Sequence, residues 1–422
     1  MRQMKVSSFF QHKEIFLRFK RWLILPVFCF FIVTQPENIY AKYLPELNNL
    51  IGNNDALLIA DQKGRIIFSR NAEKQLVPAS ILKILTSIVA LHYLGSKYRF
   101  VTEFYLDKDS NLKVKGYGDP LLTSEILNEI SKSLYSKPSI RLIKINNIIL
   151  DNSYYKSPLT IPGVLQGSTE PYDAPNGALC VNFNTVFFKK ANGSYVTAEA
   201  QTPLLPFAVK RIKKRSAADR ARITFLSNND ENVLYAGHLL QYFLNKNGII
   251  SRGNVIVGKV RKNNDRLVYR YISSFSLGQI ISRLLRYSNN FMANQIFIAS
   301  GVKAFTPPGT LDKGVLAASD YAKTVLDLKD FSIVEGSGIS RKNRISAAGF
   351  SRILQEFEPY HNLMRQNGRE FYKTGTLKGI KTRAGYIENR KGELFRFVVL
   401  INTSGKSTNK IMSSIISLLD SY

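Results

Sequence analysis

The twelve residues from Ser80 to Leu91, Ser-Ile-Leu-Lys-Ile-Leu-Thr-Ser-Ile-Val-Ala-Leu, constrain this chain more than any other stretch. After its first position the run is nearly all apolar, with Lys83 the one charge in it. Pro78-Ala79 before it suits the start of a helix, and Gly95 suits its end. A helix that is apolar on every side has no face to turn to water, so it must be enclosed by other elements. The chain is long enough to do this. It has 422 residues, a prior for two or three domains, and 45% of them are hydrophobic, which excludes wholesale disorder.

The rest of the chain supplies the layers. Ala56–Asp61 and Arg65–Arg70 read as two strands around Gln62-Lys63-Gly64. Residues 96–265 read as strand-rich and irregular, with a short strand at Ile148–Leu150, one clear helix at Val233–Lys246, and a strand region in 249–260. A helical section follows from Leu277 to about Leu328, broken at Thr306-Pro-Pro-Gly309. Strands return at Phe371–Thr374, Arg383–Ile387 and Leu394–Asn402, and an amphipathic helix at Lys410–Leu419 closes the chain. This order predicts one α/β domain built from both chain ends, with a large insertion after the first helix. The expected division is 42–100 and 266–422 for that domain and 101–265 for the insertion.

Residues 1–41 read as an export signal. Arg18, Lys20 and Arg21 flank an apolar run from Trp22 to Val33, and Ala41 ends a stretch that partly suits cleavage. Twelve residues of helix span roughly 18 Å, short of a hydrocarbon core of about 30 Å. The charge is lopsided: 59 Lys+Arg against 31 Asp+Glu, a formal +28. Removal of residues 1–41, with six basic and two acidic side chains, leaves +24. That favours an anionic surface, of wall polymer or lipid, and export argues against nucleic acid. Two Cys, at 29 and 180, build no disulfide framework. Four scattered His give no metal-ligand spacing, so neither a metal nor a cofactor is expected.

Three short motifs carry chemistry. Ser80-x-x-Lys83 puts a hydroxyl and an amine on one helix face, near a helix N-terminus that favours a developing alkoxide. A Lys in apolar surroundings can lose its proton and serve as a base. Four other Ser-x-x-Lys matches exist, starting at Ser110, Ser153, Ser300 and Ser407, and none leads into an apolar helix. Ser288-Asn289-Asn290 lies in a turn between helices, where Ser288 can relay a proton and Asn290 can hold an amide. The same letters at Ser227-Asn228-Asn229 read as a polar loop capping the next helix. Lys373-Thr374-Gly375-Thr376 lies on a strand, where Gly lets a substrate backbone come close and Lys and Thr suit a carboxylate.

In this order the motifs resemble the three signatures of the penicillin-recognising serine enzymes. Further stretches, Gly116-Tyr-Gly-Asp-Pro120, Tyr172-Asp-Ala-Pro175 with Ala178–Val186, and Glu335-Gly-Ser-Gly-Ile-Ser-Arg341, resemble one branch. That branch is the D-alanyl-D-alanine carboxypeptidase/endopeptidase family of the class C low-molecular-weight penicillin-binding proteins. Glu335 stands where that family usually has Asp. The resemblance implies an α/β (α+β) transpeptidase-like domain of the penicillin-binding and serine β-lactamase kind, an antiparallel sheet flanked by helices with a strand-rich insertion. It implies acyl transfer on peptidoglycan stem peptides ending in D-Ala-D-Ala, inhibition by β-lactams, and a periplasmic or cell-envelope location. Ser80 would be the nucleophile, Lys83 the base, Ser288 a proton relay and Asn290 an amide holder. Lys373, Thr374, Gly375 and Thr376 would receive the terminal carboxylate, with the N–H groups of Ser80 and Thr376 as the oxyanion hole. Asp151 would face the side chain of the stem peptide's diamino acid and Arg341 would be a basic residue near the cleft, the plain alternatives being a turn cap and a surface ion pair. A β-lactamase reading needs a deacylating Glu after the second motif, and residues 288–334 contain none. A non-catalytic wall-binding scaffold is the other alternative, and the intact motifs argue against it.

Overall fold

The computed structural model describes residues 39–226 and 230–422. The export segment therefore lies outside the described residues, save its last three positions, which open the helix Ile39–Leu50. From Ile39 onward the chain forms one compact unit.

A six-stranded antiparallel sheet organises the half built from both chain ends. Its strands run in the order Arg365–Asn367, Glu370–Leu377, Ile380–Glu388, Leu394–Ile401, Asp55–Ala60, Ile66–Arg70. The two chain ends meet in its middle, with Leu58 opposite Val398. Period-two alternation sends successive side chains to opposite faces, and both faces are covered. Ala56, Leu58, Ala60, Val398 and Leu400 join a core shared with the helices Lys83–Leu94, Leu277–Tyr287 and Ala347–Phe357. Leu57, Ile59, Phe397, Val399 and Ile401 pack instead on the helices Ile39–Leu50 and Asn409–Asp420. This double burial explains why the strands read as near-continuous apolar runs. The apolar helix expected after Ser80 is enclosed, with Lys83 to Leu91 all buried. The helices Asn290–Phe305 and Ala347–Phe357 pack against it.

The inserted segment has its own sheet and core. Its five strands run in the order Arg266–Ile272, Val101–Leu106, Leu112–Gly116, Ile148–Asp151, Val255–Val257. The helices Ser124–Tyr135 and Glu231–Lys246 cover it, in a core drawn from residues 104–271. Arg266–Ile272 pairs antiparallel with Val101–Leu106, so this sheet extends past the expected boundary at 265. Among the described residues three helices here, Ser124–Tyr135, Pro138–Arg141 and Pro206–Arg215, add to the one expected. The first has Ile126, Leu127, Ile130 and Leu134 on one buried face, a helical period inside a segment read as irregular.

Candidate active site

The Ser80-x-x-Lys83 motif begins with a sharp turn. Ala79 has a left-handed backbone, φ 50°, and Ala79–Leu82 forms a short 3₁₀ turn ahead of the helix Lys83–Leu94. Glycines clear the space around it. A Cβ on Gly338, itself at φ +80°, would lie 2.0 Å from the Ala79 carbonyl oxygen. One on Gly375 would lie 2.7 Å from the Ser80 nitrogen. The Lys373–Thr376 strand thus passes directly beside the Ser80 backbone. Pro78 is held to the same sheet by the Thr382 hydroxyl, which donates to its carbonyl at 2.7 Å.

Lys83 is fully buried, and its amine is the centre of the constellation. Its Nζ lies 2.9 Å from Ser80 Oγ, 2.8 Å from Asn290 Oδ1 and 2.5 Å from the Ser337 carbonyl oxygen. Asn290 is oriented by its Nδ2, which donates to the Tyr172 carbonyl at 3.2 Å. Burial drives the Lys83 pKa well below the usual lysine range, and the Lys373 charge adds to this, while Glu335 partly opposes it. The hydrogen-bond inventory constrains how the amine would sit once it has lost its proton. The oxygens of Asn290 and Ser337 can only accept, so they take the two N–H bonds. In that state the lone pair would face the Ser80 hydroxyl, the arrangement a general base requires.

Ser288 ends the helix Leu277–Tyr287 with a left-handed backbone, φ 56°. Asn289 caps the next helix by accepting the Met292 N–H at 2.9 Å, and Asn290 is that helix's first residue. This tight turn lets two helices place Ser288 and Asn290 at one corner. The Ser288 hydroxyl has no hydrogen-bond partner among the described residues.

Lys373 is buried, and desolvation pulls its pKa down to about 8. Its Nζ donates to the Thr374 carbonyl at 2.6 Å. The strand Glu370–Leu377 pairs with Ile380–Glu388 along its whole length, but on its other side Arg365–Asn367 pairs only with residues 370–372. The edge from Lys373 to Leu377 is therefore unpaired among the described strands, with Thr374 and Thr376 exposed. Such an edge can accept an extended peptide.

Two expected residues fare differently. Arg341 is exposed and donates to the Lys378 carbonyl, just past the end of this strand. Asp151, expected to face the diamino acid, is fully buried. One oxygen accepts from the Ser153 N–H at 2.9 Å and its hydroxyl at 2.6 Å; the other accepts from Lys115 Nζ and the Val260 N–H, both at 2.9 Å. It is a turn cap and an internal ion pair.

The sequence reading assigned no role to Ser337, Tyr172 or Gln295. Gln295 donates to the carbonyls of Gly118 and Gly177, both at 3.0 Å, and accepts from Asn176 Nδ2, also at 3.0 Å. It thereby ties Gly116–Pro120 and the 176–177 turn to the helix that carries Asn290. Among the described residues no His, Cys, Asp and Glu cluster could hold a metal ion.

A profile of the D-Ala-D-Ala carboxypeptidase 3 (S13) family matches residues 38–231, 217–366 and 365–422. The chain belongs to this family. It is 25% identical over 431 aligned residues to a D-alanyl-D-alanine carboxypeptidase of Actinomadura sp. (strain R39), covering 85% of this chain and 79% of that protein. It is 23% identical to the D-alanyl-D-alanine carboxypeptidase DacB of Haemophilus influenzae, covering 83% and 85%. The fold is that of the crystal structure of penicillin binding protein 4 from H. influenzae, at a TM-score of 0.71 and 20% identity, over 90% of this chain and 98% of that one. A second structure of that protein, at a TM-score of 0.66, holds a β-lactam. The antiparallel sheet flanked by helices is thus the sheet of an S13 peptidase.

Proposed function

We propose that this S13 family member is a serine D-Ala-D-Ala carboxypeptidase and endopeptidase of peptidoglycan that works through an acyl-enzyme on Ser80. The observation that carries this reading is the fully buried Lys83 amine 2.9 Å from Ser80 Oγ and held by the Asn290 and Ser337 oxygens. Lys83 takes the hydroxyl proton as Ser80 Oγ bonds to the carbonyl carbon of the penultimate D-Ala. The oxyanion forms against the N–H groups of Ser80 and Thr376; donors of this kind contribute roughly 10²–10³ each in rate. Collapse breaks the peptide bond, and the proton passes from Lys83 through Ser288 to the departing amine. Water then attacks the ester, and the enzyme is restored. Lys373, with Thr374 and Thr376, receives the terminal carboxylate on the open strand edge. Cleavage of a cross-link is the same chemistry with a larger leaving group.

Penicillin would enter the same path and stall at the ester. Glu335 does not serve a deacylating water, because both its oxygens are taken up by hydrogen bonds within its own loop and neighbours. The basic flank and apolar run of residues 18–33 support export to the envelope, where the substrate is. The formal +28 supports residence near anionic wall or lipid. The test is mass spectrometry of stem pentapeptides and cross-linked muropeptides after incubation with the enzyme. Loss of one terminal D-Ala, absent with Ser80→Ala, is the expected result; intact pentapeptide with the wild type would refute the reading.

A further inference from the structure

Glu335 is a fully buried carboxylate with no lysine or arginine paired to it among the described residues. Six donors neutralise it instead. One oxygen accepts from the Ser337 N–H at 2.6 Å, the Ser337 hydroxyl at 2.6 Å and Asn294 Nδ2 at 3.3 Å. The other accepts from the Gly338 N–H at 2.7 Å, the Ser340 N–H at 3.3 Å and Asn343 Nδ2 at 2.7 Å. The carboxylate therefore wraps the 336–340 loop around itself. That loop is also fastened to both catalytic helices. Asn294 Oδ1, one turn beyond Asn290, accepts the Gly336 N–H at 2.7 Å. The Thr86 hydroxyl, one turn beyond Lys83, donates to the Gly336 carbonyl at 2.6 Å.

What the loop presents to the site explains the arrangement. Its Ser337 carbonyl takes one Lys83 N–H, and its Gly338 fits against the Ala79 carbonyl with no room for a Cβ. We propose that Glu335 is a positioning residue for acylation: by shaping the 336–340 loop it fixes the Lys83 amine and the Ser80 backbone relative to each other. This rests on the acyl-enzyme reading above. The charged groups facing Lys83 are Lys373 from the strand and Glu335 from the loop, and they act in opposite directions. Glu335 thus also raises the pH at which Lys83 becomes available as a base, against the larger effects of burial and Lys373.

The test is the rate of acylation by a fluorescent penicillin across pH, in wild type, Glu335→Gln and Thr86→Val. In Glu335→Gln an amide NH₂ meets N–H donors, and acylation should fall by about 10- to 100-fold, the worth of one hydrogen bond to a charged group. Loss of the negative charge should move the acid limb to lower pH. A merely structural role would not move that limb. Thr86→Val keeps shape and charge and loosens the loop from the Lys83 helix; acylation should fall several-fold with the acid limb in place. A wild-type rate and profile in folded Glu335→Gln would overturn the inference. Should Glu335→Gln fail to fold, a wild-type rate in Thr86→Val would overturn it alone. A wild type that takes no label at all would instead sink the acyl-enzyme reading.

Discussion

Replacing Lys373 with Met should remove both affinity for the substrate's terminal carboxylate and one limb of the pH profile. The side chain is buried, and burial alone pulls its pKa to about 8. Below that pH it carries a charge on the open edge of the strand Glu370–Leu377; as pH rises through about 8 the charge is lost, and carboxylate recognition goes with it. A hydrogen bond to a charged group contributes roughly 1.5–3 kcal/mol, so kcat/KM at neutral pH should fall by about 10- to 150-fold. The wild type should show an alkaline limb in kcat/KM near 8, and Lys373→Met should lack it. The acid limb should move the other way. The Lys373 charge depresses the Lys83 pKa, so removing it lets Lys83 hold its proton to higher pH. The assay is D-Ala release from a D-Ala-D-Ala peptide across pH, beside the same peptide with a terminal carboxamide. The amide should cost the wild type about as much as the mutation does, and cost the variant little more, because both remove one interaction. A variant with wild-type kcat/KM, or with its alkaline limb still near 8, would refute the assignment of Lys373 to the carboxylate.

Two further changes probe the scaffold. Gly338→Ala puts a Cβ 2.0 Å from the Ala79 carbonyl oxygen at φ +80°, so it should cost roughly 1–3 kcal/mol in urea unfolding and slow penicillin labelling together; unchanged labelling would show slack beside Ser80. Asp151→Asn breaks a pair with Lys115 whose acid is buried and whose amine is slightly exposed, and should cost roughly 1–3 kcal/mol at neutral pH. Burial raises the Asp151 pKa, but hydrogen bonds from Ser153, the Val260 N–H and Lys115 outweigh it and hold the value below the usual one. Its contribution is therefore present at neutral pH and lost only as pH falls below about 4. Acetylating the amine of a diaminopimelate stem peptide should change turnover equally in wild type and Asp151→Asn. A selective loss in the wild type would restore Asp151 as a recognition residue.

The parts of this molecule that were legible in its sequence are those where one residue's surroundings are local. The Ser80 helix declared its burial by lacking a polar face, and the sheet strands did so by apolar runs that suit a sheet covered on both sides. Lys83 could be read as a base from its apolar neighbours along the helix. Asp151 could not be placed, because its partners Lys115 and Val260 come from a neighbouring strand and from the segment after the strand Val255–Val257. Its local cue, an Asp followed two residues later by Ser, was a turn signal all along. Glu335 shows the same limit from the other side. Its donors span residues 294 to 343, and only the packed loop reveals why a lone buried acid is tolerated there. The helix Ser124–Tyr135 did carry a readable period, masked by the strands around it.

The central claim is that Ser80, activated by Lys83, forms the acyl-enzyme. It is tested most directly by intact-protein mass spectrometry after exposure to penicillin, followed by peptide mapping. The account predicts one adduct per chain, on the peptide containing Ser80, persisting after excess drug is removed and absent from folded Ser80→Ala. An adduct that survives Ser80→Ala, or a wild type that stays unmodified, would contradict it.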